Sequence, residues 1–289
     1  MHIGPQDLRT LQQVSSLSPA ASIQVAPSTS SSDISMAPLA LKLAFHALGF
    51  ASCFTAFSEL QTVSAVSGVD IEDEFGGHWQ FLTNIGLTFT GISFFLSILL
   101  DLAPHVKALR SAKLFFATPA LPAEFLIAAL YWTLLSISPD LLIMPVKKED
   151  PLNPGVFIEH SVRLPLWLDL RLHAFPGVLM LIDYYAFSPS WSKNTHALFV
   201  GGLPTLIYVS WATVCAHFNG HYPYPLLTEA SPTGRVGIYA GSLAVMISLT
   251  VFFRESHVWL DKALHTGVAG SGAGSSRGKV DLKGKKKAL

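Results

Sequence analysis

Six long apolar segments constrain this chain more than any other feature of its sequence. A helix needs about 20 mostly apolar residues to cross a bilayer. The segments lie at residues 38–57, 81–102, 114–135, 164–187, 196–217 and 236–258. Only 13% of the residues are charged and the mean hydropathy is +0.44, whereas soluble domains carry about 25% charge. The sequence therefore predicts an all-α polytopic membrane protein, a bundle of about six transmembrane helices.

Charge and cysteine content argue against several classes of function. The formal net charge is +0 at neutral pH, so there is no overall electrostatic attraction to nucleic acid, and we expect no such partner. Both cysteines, Cys53 and Cys215, lie within apolar segments. We therefore expect two small buried side chains and no disulfide framework.

Composition also predicts the domain organisation. Residues 1–36 are rich in Ser, Pro and Ala, which is typical of a disordered tail. Residues 37–262 hold the six-helix transmembrane domain. Residues 263–289 are rich in Gly and Ser and end in a run of lysines, which predicts a disordered, basic tail.

The distribution of lysine and arginine predicts the orientation in the membrane. The loop after the second segment is basic and holds Lys107, Arg110 and Lys113, whereas the loop after the first segment is acidic. The C-terminal tail is basic as well. Cytosolic loops carry the excess of positive charge, so we expect both termini and the second loop in the cytosol.

The C-terminus ends in Lys286-Lys287-Ala288-Leu289. Two lysines at these positions resemble the dilysine retrieval signal of endoplasmic-reticulum membrane proteins, which coat proteins recognise in the cytosol. The sequence therefore predicts a multi-pass protein of the endoplasmic reticulum. The alternative is a basic tail that attracts anionic membrane lipids.

Ionisable residues cluster in the fourth apolar segment. Charged side chains inside a membrane are costly and often functional. Asp169 and His173 are four residues apart and share one helix face, an arrangement that suits a carboxylate orienting a general base. Arg171 points elsewhere, and we expect Asp183 to reach the membrane interface. The alternative is a polar pair that holds helices together.

Thr83 lies in the stretch "FGGHWQFLTN", where a polar loop turns into the second apolar segment. Gly76 and Gly77 favour a tight bend, and Trp79 suits a membrane interface. A threonine hydroxyl attacks an ester only when a base removes its proton. The alternative is a hydroxyl that bonds to a carbonyl of its own helix. With the predicted orientation, Thr83 falls in the outer half of the membrane together with Asp169, His173 and His217.

Three motifs resemble the androgen-induced and androgen-dependent TFPI-regulating protein family of multi-pass membrane threonine hydrolases. "GGHWQFLTN" is similar to the family's G-G-x-W-[KQ]-[FY]-L-T signature. "PLWLDLRLHAFPGVLMLID" is similar to its W-L-N-H-x-x-H segment, and "HFNGHYPYPLL" to its H-x-x-G-x-x-x-Y-P-[FL]-L stretch. The motifs occur in the same order as in the family.

The resemblance implies a hydrolase of fatty-acid esters of hydroxy fatty acids, without cofactor or metal, whose substrate enters from the bilayer. It places Thr83 on the nucleophile and His173 on the second catalytic residue. Asp169 stands where the family has Asn, and its orienting role is inferred from its spacing to His173. Further residues expected near the substrate are Trp79, Asn84, Arg171 and His217.

Other classes of function remain open on sequence alone. The charges of the fourth segment could line the path of a transporter, although no internal repeat supports this. His217 and His221 are four apart, but a membrane-bound metal oxidase needs several such pairs. A regulatory membrane protein without activity is the remaining alternative.

Overall fold

The chain folds into a helical bundle, and the computed structural model describes residues 37–67, 70–142, 146–149, 152–153, 155–160 and 163–272. The helices are α1 (Leu39–Ser58), α2 (Leu60–Ser67), α3 (Leu82–Leu102), α4 (Lys107–Ile137), α5 (Leu166–His173), α6 (Phe175–Ile182), α7 (Leu203–Asn219), α8 (Pro225–Glu229) and α9 (Pro232–Gly272). Short 3₁₀ turns cover Ile71–Asp73, Gly77–Gln80 and Pro139–Leu141, and π-helical turns cover Asp183–Phe187 and Leu198–Gly202. The first predicted tail and the dilysine lie outside the described residues.

Five helices are long and apolar enough to cross a membrane: Leu39–Ser58, Leu82–Leu102, Lys107–Ile137, Leu198–Asn219 and Pro232–Ala263. They coincide with five of the six predicted segments, which confirms a polytopic helical bundle. α4 begins seven residues before its apolar segment because lysine and arginine are good helix formers. α9 likewise continues to Gly272, ten residues beyond the predicted end of the transmembrane domain.

The fourth predicted segment is not one continuous helix. α5 ends at His173, Ala174 leaves helical geometry with φ −136°, and α6 begins at Phe175. Pro176 explains the break, because a proline has no N–H for the preceding turn and its ring clashes with that turn. The same proline is tolerated in the first turn of α6. The interruption places His173 at a helix end.

Small residues let the central helices approach closely. α3 packs between α1 and α4, and a Cβ at Gly49 of α1 would lie 2.7 Å from the ring of Phe94 on α3. Close backbone approach through small residues is the common way in which membrane helices associate. The buried core lies between α1, α3, α4 and the α5–α6 segment, with Leu87, Leu121 and Leu168 at its centre.

A buried ionic cluster joins four parts of the bundle. His46 Nδ1 contacts Asp101 Oδ2 at 2.6 Å, and its Nε2 contacts Asp183 Oδ1 at 2.9 Å. Lys113 Nζ donates to Asp183 Oδ1 and to Ser188 Oγ, both at 3.0 Å. The expectation that Asp183 reaches the interface is therefore wrong. The burial of Asp183 is compensated by the ion pair with Lys113 and by its contacts with His46 and Ser188.

A small antiparallel strand pair lies between α4 and α5. Strand β1 (Val146–Glu149) pairs with β2 (Phe157–His160), and Val146 lies opposite His160. The sequence alone predicts a loop in this region, since a four-residue strand carries little periodic signal.

Candidate functional site

The loop that leads into α3 is fixed against the end of α7. Gly76 and Gly77 have positive φ values of 88° and 47°, which non-glycine residues rarely adopt. A Cβ at Gly76 would lie 2.7 Å from Cys215 Sγ. The Phe75 N–H donates to Asn219 Oδ1 at 2.8 Å, and Asn219 Nδ2 donates to the Phe75 carbonyl at 3.1 Å. The predicted bend thus places the start of α3 at a defined position.

Thr83 is the second residue of α3, and its side chain is largely buried. Thr88, one turn later, donates its hydroxyl to the carbonyl of Asn84 at 2.6 Å. The corresponding carbonyl for Thr83 belongs to Trp79, and it accepts the indole N–H of Trp211 at 2.9 Å. Within the described part of the chain, Thr83 makes no such bond to its own helix, so its hydroxyl is left for other partners.

Tyr224 is the polar neighbour of Thr83. Its phenol oxygen accepts the Leu82 N–H at 3.1 Å. The Thr83 side chain also hydrogen-bonds to this phenol. Burial raises the pKa of the Tyr224 phenol, and these hydrogen bonds counteract part of that rise. The phenol is therefore protonated at neutral pH.

A cavity of about 2550 Å³ opens beside Thr83. Both Thr83 and Asp101 line it, and they are eighteen positions apart on α3, which corresponds to about 27 Å. The walls come from α3, α4, α7 and α9, and most wall residues are apolar. A long acyl chain fits such a cavity, with Thr83 at one end and charged residues at the other.

Asp169 and His173 form the predicted pair. His173 Nδ1 donates to Asp169 Oδ1 at 2.9 Å, and both side chains are buried. The imidazole stacks on the ring of Tyr131, with centroids 3.4 Å apart and an interplanar angle of 4°. Because Nδ1 is used by the carboxylate, Nε2 is the nitrogen that can accept a proton. Neither residue lines the cavity.

Thr83 and His173 nevertheless lie at similar depth. A Cβ on Gly86 would lie 2.8 Å from the Ile127 side chain, so these two positions face each other on the antiparallel helices α3 and α4. One turn from this contact, towards the start of α3 and the end of α4, Thr83 is level with Tyr131. His173 stacks on Tyr131. The expectation that Thr83, Asp169, His173 and His217 share the outer half of the membrane remains a prediction. Among the described residues, no hydrogen bond joins Thr83 to His173.

Two of the residues expected near the substrate are engaged elsewhere. Asn84 is buried, and its Nδ2 donates to the His78 carbonyl at 2.7 Å. Arg171 forms an ion pair with Glu59 and lies over the ring of Trp167, 5.6 Å from the centroid. These contacts position α3 and tie α5 to the end of α1.

The other two lie at the surface of the protein. Trp79 is 51% exposed and its ring contacts Phe57. His217 is exposed near the end of α7 and contacts Phe218 edge to face. None of the residues Trp79, Asn84, Arg171 and His217 lines the cavity.

Two groups near the site, Tyr224 and Glu124, were not among the residues predicted from the sequence. Tyr224 belongs to a quoted motif, but nothing in the sequence indicates that it meets α3. Glu124 is buried in α4 and accepts a hydrogen bond from Thr90 Oγ1 at 2.8 Å. An acid within an apolar segment was the signal that could have found it. In the described ranges, no three His, Cys, Asp or Glu residues gather as a metal site requires.

Comparison with known proteins places this architecture in a family. The model of the FAR-17a/AIG1-like protein family matches residues 41–257. The chain belongs to this family. The match covers α1, the loop with Thr83, the Asp169–His173 pair and most of α9, so every part of the site lies within it.

Two relatives have a similar extent. The chain is 26% identical over 213 residues to the fission yeast (Schizosaccharomyces pombe) protein named UPF0641 membrane protein PJ4664.05, covering 73% of this chain and 88% of that protein. It is 23% identical over 202 residues to the human androgen-induced gene 1 protein, covering 64% of this chain and 79% of that protein. No solved structure matches the chain.

Proposed function

We propose that this protein is an integral-membrane hydrolase of lipid esters, with fatty-acid esters of hydroxy fatty acids as its substrate class. The observation that carries the proposal is the position of Thr83. Its side chain lines a large apolar cavity, and its hydroxyl makes no bond to its own helix. A hydroxyl held in this way beside space for an acyl chain is suited to attack an ester that enters from the bilayer.

The reaction follows the logic of other hydroxyl nucleophiles. Thr83 Oγ1 attacks the ester carbonyl carbon, and His173 Nε2 takes the hydroxyl proton. The tetrahedral intermediate collapses, the C–O bond to the alcohol breaks, and the alcohol leaves with the proton from His173. Water, deprotonated by His173, then releases the fatty acid and restores Thr83.

Three observations support His173 as the base. It lies at the depth of Thr83, Asp169 holds its Nδ1, and its Nε2 is left to accept a proton. Catalytic hydrogen bonds are often long in the substrate-free enzyme and tighten when substrate binds. In the proposed mechanism, substrate binding brings His173 Nε2 to Thr83, directly or through one water molecule.

Labelling with a lipophilic fluorophosphonate tests the nucleophile. Thr83→Ala should abolish both labelling and ester hydrolysis by the purified protein, whereas Thr83→Ser keeps a hydroxyl and should retain part of the activity. Thr88→Ala is the matched control, since Thr88 lies one turn away and bonds to its own helix. A folded, membrane-inserted Thr83→Ala protein that hydrolyses esters at the wild-type rate contradicts the proposal.

The length of the cavity favours one alternative, a transporter, because the cavity reaches from Thr83 to Asp101 at the opposite end of α3. A non-catalytic regulatory protein is the other alternative. Hydrolysis of lipid esters by the purified protein in detergent separates both from the hydrolase.

The proposal includes a location. We place the protein in the endoplasmic reticulum membrane, with both termini and the loop before α4 in the cytosol. The basic residues of that loop and of the C-terminal tail support this orientation, as does the dilysine near the C-terminus.

A further inference from the structure

The geometry points to Tyr224 as the residue that stabilises the oxyanion formed when Thr83 attacks an ester. This inference rests on the hydrolase function proposed above and adds the group that the mechanism still lacks. Ester cleavage places negative charge on the carbonyl oxygen, and a donor held at that oxygen is often the largest single contribution to catalysis.

The phenol oxygen of Tyr224 is anchored at the start of α3. It accepts the Leu82 N–H at 3.1 Å, one of the first N–H groups of a helix that has no side-chain cap and therefore needs external acceptors. Accepting this bond occupies a lone pair of the phenol and leaves its O–H free to donate. Tyr224 and Thr83 line the same cavity, so the donor is next to the nucleophile.

The backbone and ring of Tyr224 are fixed. Tyr224 precedes α8, its carbonyl accepts the Leu227 N–H at 2.9 Å, and Pro225 follows as the first helical residue. The ring packs edge to face on Phe81, with centroids 5.6 Å apart. A donor held from both sides needs little reorganisation during the reaction, which is what makes oxyanion stabilisation effective.

Tyr224 acts without giving up its proton. When Thr83 Oγ1 bonds to the carbonyl carbon, the π electrons move to the carbonyl oxygen, and the Tyr224 O–H donates a hydrogen bond to it. When the intermediate collapses, the electron pair reforms the carbonyl and the hydrogen bond weakens. Since burial raises the pKa of Tyr224, the phenol keeps its proton throughout the physiological range.

Other donors nearby are already in use. Asn84 donates to His78, and Arg171 is paired with Glu59. The hydroxyl of Tyr208, which also lines the cavity, donates to the Gln80 carbonyl at 3.4 Å and hydrogen-bonds to the Tyr224 phenol. The Tyr224 phenol lies next to Thr83 at the start of α3, where its oxygen accepts the Leu82 N–H.

Steady-state kinetics of purified Tyr224→Phe in detergent test the inference, with a fluorogenic long-chain acyl ester as substrate. The variant keeps the ring on Phe81 and loses only the hydroxyl. We expect kcat to fall about 10²–10³-fold, the usual effect of losing an oxyanion donor, with KM nearly unchanged. Fluorophosphonate labelling of Thr83 should slow as well, because the phosphoryl oxygen of the probe needs the same hydrogen-bond donor.

Tyr222→Phe is the matched control. Tyr222 lies two residues before Tyr224, does not line the cavity, and its hydroxyl accepts a hydrogen bond from Arg235 Nη1 at 3.4 Å. We expect this variant to keep the wild-type kcat. Equal losses in both variants would overturn the inference, because they would reflect a general effect of removing a phenol from this loop.

Three further outcomes separate the claims. If Thr83→Ala is inactive while folded Tyr224→Phe keeps the wild-type kcat, the role of Tyr224 fails and the hydrolase stands. A loss in Tyr224→Phe that appears only in KM or in thermal stability also overturns the inference, since it indicates a structural role. If Thr83→Ala retains full activity, the proposed function itself fails.

Discussion

Thr83 differs from neighbouring hydroxyl residues in its surroundings, not in its chemistry. Thr88, Ser97 and Thr250 each donate to the carbonyl four residues earlier, the usual arrangement of hydroxyls in membrane helices. At Thr83 the equivalent carbonyl, of Trp79, accepts the indole N–H of Trp211, and the Thr83 side chain hydrogen-bonds to Tyr224. Its surroundings thus differ from those of a hydroxyl that bonds to its own helix.

The Asp169–His173 pair gives a graded prediction. His173→Ala should lower ester hydrolysis by about 10²-fold or more, the usual effect of losing a general base. Asp169→Asn should cost less, because an amide oxygen still accepts the Nδ1–H bond and keeps the tautomer. Rates of purified variants, corrected for the folded fraction, measure both. A larger loss in Asp169→Asn than in His173→Ala would contradict the assigned roles.

Prolines affect the helices of this bundle in different ways. Pro176 divides the fourth segment into α5 and α6, so His173 ends a helix. Pro119 and Pro122 lie inside the continuous α4, where neighbouring helices compensate for the lost hydrogen bonds. The effect of a proline therefore depends on its neighbours in the folded bundle.

The ionic cluster of His46, Asp101, Lys113 and Asp183 joins α1, α3 and α4. We therefore expect its members to contribute jointly to the stability of the bundle. Asp183 is contacted by His46 Nε2, Lys113 Nζ and Ser188 Oγ, and Lys113 brings a full positive charge to this carboxylate. Lys113→Met should lower the free energy of unfolding by about 3–5 kcal/mol, because it leaves a buried carboxylate uncompensated.

Combining Lys113→Met with Asp183→Asn restores the charge balance and should cost less than the sum of the single losses. Thermal unfolding of the four proteins in the same detergent measures the coupling. Additive losses would show that Lys113 and Asp183 do not stabilise each other.

Across the whole molecule, the proposed orientation gives a topological prediction. A glycosylation acceptor inserted near Gly68, in the acidic loop, should be modified in microsomes. One inserted in the C-terminal tail should remain unmodified, since positively charged loops stay in the cytosol. The reverse pattern would invert the bundle and put Thr83 in the cytosolic half of the membrane.

Much of the architecture could be predicted from local signals. The length of the apolar segments located five spanning helices to within a few residues at most ends. The glycines before α3 indicated a bend, which the positive φ values of Gly76 and Gly77 confirm. The interior charges of the first three segments were missed. His46, Asp101 and Glu124 are isolated in sequence, and only packing shows that they are buried with partners.

The sequence by itself determined the membrane class and the approximate helix boundaries, because burial of about 20 apolar residues is a local property of the chain. It also determined the i, i+4 pairing of Asp169 with His173. Tertiary structure alone decided that Tyr224, 141 residues after Thr83, lies beside it at the start of α3. Such contacts depend on how distant helices pack, and no pattern within a single segment records them.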